Sequence, residues 1–218
     1  IDLPRKLARY VARGGARLLH VSTDAVFDGV TGNYTEEDAP NPLSVYAQTK
    51  LAGERAVQEA NPDAIIVRVN LFGWSLLGQR SLAEFFFYNL QAGASVKGFT
   101  DVYFCPLYAN DMAHIFLQML SKGLSGLYHV FSSDHMSKYT FGVEIAQKFA
   151  LNPELIAPIA VSAAGLRATR SPNLTMSVDK LIHDLGTIPP TISTGLERFH
   201  QHYQQSYPQM LREMTRRN

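Results

Sequence analysis

The sequence predicts an α/β fold built on a parallel sheet, and three observations carry that expectation. Arg17 to Ser22 (RLLHVS) and Ala64 to Val69 (AIIVRV) are short apolar runs of the kind that form strands buried on both faces. The stretch between them holds a helix-patterned segment that closes at Asn61-Pro62. Strand, helix, strand at this spacing is a βαβ unit, whose crossover makes the two strands parallel.

The other elements follow in order. Leu3, Leu7, Tyr10 and Val11 recur at helical spacing, and Gly14-Gly15 stops that helix. The chain starts on Ile with a helix already in progress, so a fragment or a misplaced start is expected. Arg5, Lys6, Arg9 and Arg13 interrupt the apolar positions, which argues against a signal peptide. Asp24 to Pro42 is rich in Gly, Asn, Asp and Pro and reads as a long loop, a length usually tied to function. Asn41-Pro42 is expected to open the next helix, with Asn as cap and Pro as first residue. Helices are also expected over 81–91, from an Asn110-Asp111 cap to Leu120, and over 139–150, 177–185 and 194–214. Strands are expected at 95–98, 126–131 and, broken by Pro158, 155–161.

Composition narrows the function classes. In 218 residues, 46% are hydrophobic and 18% charged, as in a globular chain. The formal net charge of +1 gives no basic surplus for phosphate backbones, so no nucleic-acid partner is expected. The one cysteine, Cys105, cannot form an internal disulfide and is expected to be a packed small residue. No apolar run reaches the roughly 18 residues of a membrane span. Seven histidines show no ligand spacing, so no metal is expected. Phe85-Phe86-Phe87-Tyr88 reads as core.

Two features could carry chemistry. Tyr46 and Lys50 lie four apart on the expected helix and share a face. An ammonium beside a phenol favours the phenolate, and such a phenol can exchange a proton near neutral pH. Read alone, the pair is equally an ordinary surface pair. Ser22, Thr23 and Asp24 follow the first strand, where ligands bind in open α/β sheets. Read alone they are a turn-forming cluster. Together, two hydroxyls, a carboxylate, a phenol and an ammonium meet at one sheet edge.

HVSTDAVFDG at 20–29 and YTEEDAPNPLSVYAQTKLAGE at 34–54 resemble the extended short-chain dehydrogenase/reductase superfamily, within it the dTDP-4-dehydrorhamnose reductase (RmlD-like) group. Weaker similarity runs through RVNLFGW at 68–74, FTDVYFCPLYANDMA at 99–113, GLYHV at 126–130 and RSPNLT at 170–175. The resemblance implies the C-terminal part of a Rossmann-type parallel sheet with a small α/β substrate-binding domain. Residues 1–78 would be the second part of the cofactor domain, its sheet completed by about 109–131. Residues 79–108 and 132–218 would be mainly the substrate region. It implies NADP or NAD as cofactor, held by Ser22, Tyr46, Lys50 and Asn70. It implies a catalytic set of Thr23, Tyr46 and Lys50, and a nucleotide-sugar substrate contacted by Asp24, Trp74, Asp101 and Arg170, with Arg167 near the same pocket. A cytoplasmic protein, a homodimer and no membrane partner also belong to the expectation.

The sequence departs from the group in three places. No Gly-x-x-Gly-x-x-Gly phosphate turn occurs in the chain. Ala25 stands where an aromatic often follows Ser-Thr-Asp. Leu71 stands at the position of a sugar-packing tryptophan, with Trp74 close by. Two other readings share the resemblance: a non-catalytic nucleotide-binding subunit like the β subunit of methionine adenosyltransferase, and a sugar-nucleotide epimerase or dehydratase.

Overall fold

The structure is a computed structural model that describes residues 2–77, 81–165 and 171–216. Helix α1 (Asp2–Arg13) precedes strand β1 (Leu19–Thr23). Helix α2 (Val45–Ala60) then crosses to strand β2 (Ile65–Val69), and the short β3 (Leu71–Phe72) follows. Next come α3 (Leu82–Gln91), β4 (Val96–Phe99), β5 (Tyr103–Phe104), β6 (Leu107–Tyr108), α4 (Ala109–Ser121) and β7 (Gly126–Val130). Strand β8 (Met136–Ser137), α5 (Lys138–Lys148), β9 (Ile156–Ile159), β10 (Asn173–Leu174), α6 (Asp179–Leu185), α7 (Ile192–Gln204) and α8 (Tyr207–Arg216) complete the order.

The main sheet is parallel, in the order β1-β2-β7, with Thr23 opposite Val69 and Val69 opposite Val130. Alternation explains why β2 is apolar almost throughout. Ile65, Val67 and Val69 pack with Met112, Ile115 and Leu181 on one face, whereas Ile66 packs with Ala8 and Val57 of α1 and α2 on the other. Among the described residues β1 pairs on one side only, which leaves Val21 partly exposed on the open edge.

The second packing centre is aromatic. Phe72, Trp74, Phe86, Phe87, Phe141 and Phe199 form its middle, drawn from β3, α3, α5 and α7. A small sheet β10-β5-β8 and the pair β4-β9 lie in this half of the chain. Phe86 and Phe87 are core as expected, while Phe85 turns partly to the surface. Cys105 is buried, and burial pushes its thiol up to about 11.

Three expected boundaries move. Helix α2 is capped by Ser44, whose hydroxyl accepts from Ala47 N at 3.2 Å, and not by Asn41. Asn41 instead donates to Asp28 Oδ2 at 2.9 Å, so a loop contact competes for it. Helix α4 has Tyr108 as its cap residue with no side-chain cap, because Asp111 pairs with Arg198 of α7. The single helix expected over 194–214 is two helices. Ser206 takes a left-handed φ of 59°, and Pro208, which lacks an N–H, fits the first turn of α8.

Candidate active site

The site grows from the C-terminal end of β1. After Thr23 the chain makes a tight turn, Asp24–Val26, in which Thr23 Oγ1 accepts from Ala25 N at 3.2 Å. The same hydroxyl donates to Asp24 Oδ1 at 3.1 Å. Asn70, the residue after β2, donates to Asp24 Oδ2 at 2.6 Å. Parallel pairing brings the ends of β1 and β2 together, so the Asp24–Asn70 contact follows from register. Asp24 is 4% exposed. Burial raises its carboxyl above the usual range, although the bonds from Asn70 and Thr23 and the charge of Lys138 oppose that shift.

Helix α2 supplies the phenol and the ammonium. Its Ser44 cap sets Tyr46 in the first turn and Lys50 one turn later on the same face. Tyr46 is 59% exposed. Lys50 Nζ donates to Val21 O at 2.6 Å. Leu18 O accepts from Ile65 N across the sheet, so by alternation the Val21 carbonyl points to the open edge of β1. Lys50 therefore sits at that edge.

A cavity of about 300 Å³ joins these parts. Asp24, Tyr46, Asn70, Tyr103, Lys138 and Ser171 are among its lining residues. A larger cavity of about 600 Å³ involves α4 and α7, around the Asp111–Arg198 pair, and none of the expected catalytic residues line it.

The expected residues divide clearly. Asp24, Tyr46 and Asn70 meet at one cavity. Thr23 bonds to Asp24 beside it. Ser22 is buried, and among the described residues its hydroxyl has no hydrogen-bond partner. Trp74 is not among the lining residues of this cavity: it is 8% exposed, stacks on Phe199 at 3.9 Å and donates to Phe199 O at 3.0 Å. An indole needs both a flat apolar partner and an acceptor, and the aromatic core supplies both. Asp101, also absent from that lining, accepts from Val161 N at 2.8 Å and so holds a turn. Arg167 and Arg170 lie outside the described residues.

Sequence reading missed Lys138, Tyr103 and Ser171. Ser171 lies within the RSPN string at 170–173, and that was its one available signal. Lys138 and Tyr103 come to the cavity through the β5–β8 pairing, which spacing does not reveal. Also missed was the role of loop 28–33. Gly29 has φ 77°, and a Cβ there would lie 2.7 Å from Ser171 Cβ. Gly29 O accepts from Asn173 N at 3.1 Å, and Ser171 Oγ donates to Phe27 O at 3.2 Å. The loop after β1 thus docks the segment that brings Ser171 to the cavity.

A parallel sheet with a Tyr-Lys helix after β1, and an acid and an amide at the strand ends, is the arrangement of a Rossmann-like reductase domain. The model of the RmlD substrate binding domain matches residues 1–205, and the chain belongs to that family. A Haloferax volcanii protein named "Probable low-salt glycan biosynthesis reductase Agl14" is 34% identical over 183 residues, covering 82% of this chain and 61% of that protein. The Danio rerio methionine adenosyltransferase 2 subunit beta is 34% identical over 178 residues, 77% of this chain and 54% of that protein. The chain thus spans between half and two thirds of these relatives. The dTDP-4-dehydrorhamnose reductase of Clostridium acetobutylicum superposes with a TM-score of 0.84 at 27% identity, over 92% of this chain and 71% of that one. The Bacillus anthracis dTDP-4-dehydrorhamnose reductase, solved in complex with NADP, gives 0.83 at 26% identity, over 90% and 69%.

Proposed function

We propose that this chain carries the proton-transfer and substrate-holding part of an NAD(P)-dependent reductase of nucleotide-linked 4-keto sugars. The observation that carries the reading is the single cavity shared by Asp24, Tyr46 and Asn70, with Lys50 on the Tyr46 face of α2. The similarity to dTDP-4-dehydrorhamnose reductases supports it.

The chain's residues fit the nicotinamide end of such a cofactor. The buried Ser22 hydroxyl of β1, without a hydrogen-bond partner among the described residues, and the Lys50 ammonium of α2, which donates to Val21 O of β1, lie at neighbouring positions of that strand. Ser22, Tyr46, Lys50 and Asn70 would hold that end, whereas the described residues offer no glycine-rich turn for the diphosphate. The nicotinamide, when bound, supplies the hydride. Tyr46 gives its phenolic proton to the oxygen that develops from the sugar C4 carbonyl. Thr23 hydrogen-bonds the same oxygen after turning its hydroxyl away from Asp24. Lys50 holds the nicotinamide ribose, and Asp24 binds a sugar hydroxyl. Positioned proton transfer of this kind supplies roughly 10²–10⁴-fold.

The equal similarity to the methionine adenosyltransferase subunit favours a second reading, a non-catalytic nucleotide-binding subunit. One assay separates the two: oxidation of NADPH or NADH by a dTDP-4-keto sugar, with the protein that carries this sequence. Turnover supports the reductase. Saturable nucleotide binding without turnover supports the subunit.

A further inference from the structure

Lys138 is the one lysine or arginine among the described residues lining the cavity that holds Asp24 and Tyr46. Its backbone is tightly placed. Lys138 N donates to Val102 O at 3.0 Å, and the preceding Ser137 pairs with Tyr103 across β5–β8 and caps α5 through Thr140 N at 3.0 Å. The ammonium lies 5.9 Å from the Phe104 ring centroid, and its charge is felt at Asp24. Among the described residues the cavity lining therefore carries one acidic and one basic group.

We infer that Lys138 binds a phosphate oxygen of the nucleotide-linked substrate and so sets which end of the sugar faces Tyr46. The inference rests on the proposed reductase reading. A neutral sugar ring needs no cation, whereas a diphosphate forms a charge-assisted hydrogen bond with an ammonium. The buried Asp24 disfavours a phosphate and accepts from hydroxyls. The two groups thus impose one polarity: the phosphate end lies at Lys138, and the hydroxyl and carbonyl end at Asp24 and Tyr46. The adjoining Tyr103, partly exposed, gives the ring an apolar surface.

Calorimetric titration with dTDP and with thymidine tests this, on the wild type, Lys138→Gln and Lys138→Arg. Lys138→Gln should weaken dTDP about tenfold, the scale of one charge-assisted bond, and leave thymidine unchanged. Lys138→Arg should stay within a few-fold of wild type. Equal dTDP affinity in wild type and Lys138→Gln would overturn the inference. So would a parallel loss for thymidine, or no dTDP binding by the wild type. Ketone reduction by Lys138→Gln at an unchanged KM would sink this inference while leaving the reductase reading intact. A wild type that binds dTDP through Lys138 without turnover would sink the reductase reading alone.

Discussion

Arg68 of β2 and Glu54 of α2 form a buried two-pronged ion pair, with Nε to Oε1 at 3.1 Å and Nη2 to Oε2 at 2.9 Å. Their side chains are 3% and 6% exposed. The pair ties the helix bearing Tyr46 and Lys50 to the central strand of the sheet. The Arg68 guanidinium also lies over the Phe27 ring at 5.0 Å, so loop, helix and strand meet at one charge. Glu54→Gln leaves Arg68 uncompensated and should cost about 3–5 kcal/mol in urea unfolding. Glu54→Leu combined with Arg68→Met should recover most of that loss. A neutral effect of Glu54→Gln would mean the pair does not hold the helix.

Trp74 packs in the aromatic core. It is the single tryptophan, so its fluorescence reports one site. Its emission should be that of a buried indole and should not change on adding a nucleotide sugar. Trp74→Ala should cost about 3–5 kcal/mol in stability. Quenching by ligand would restore the sugar contact expected from sequence.

Gly29 lets the loop after β1 approach Ser171. An alanine there meets both the left-handed φ and the Ser171 side chain. Gly29→Ala should lower stability by about 1–3 kcal/mol. It should also raise KM for the nucleotide sugar, because the displaced segment lines the cavity. Chemical unfolding and steady-state kinetics read the two effects separately. An unchanged KM would detach the loop from substrate binding.

His129 is fully buried in β7, beside the backbone of Tyr34 and Ser177. Burial, with the nearby Arg68 charge, pushes its imidazole from 6.5 down to about 3. The unfolded chain therefore takes up a proton that the folded one refuses. Stability is full above the unfolded value and falls as pH drops from 6.5 toward 3. The loss is about 1.4 kcal/mol per pH unit within that window. His129→Phe removes this dependence, so urea midpoints near neutrality and about two units below should converge relative to wild type. An identical pH slope in the variant would contradict the assignment.

The βαβ unit was legible because both strands are unbroken apolar runs between turn residues. Tyr46 and Lys50 were legible because their relation is local, one helical turn. Asp24 was legible as a residue that follows the first strand and Asn70 only through the family resemblance, and their mutual bond needed the register. What stayed hidden depends on distant partners. Asn41 looks like a cap until Asp28 takes it, and Asp111 until Arg198 does. Lys138 reaches the cavity only because β8 pairs with β5. Trp74 lies close in sequence to the expected sugar-packing position, but the stack on Phe199 is a contact between residues 125 apart.

The central claim is that Tyr46 gives the proton in ketone reduction, and the most direct measurement is single-turnover hydride transfer by wild type and Tyr46→Phe. The protein is the one that carries this sequence, with a dTDP-4-keto sugar and saturating NADPH or NADH. The account predicts a rate lower by roughly 10²–10⁴-fold in the variant, with cofactor affinity within a few-fold of wild type. Hydride transfer at the wild-type rate in Tyr46→Phe would contradict it.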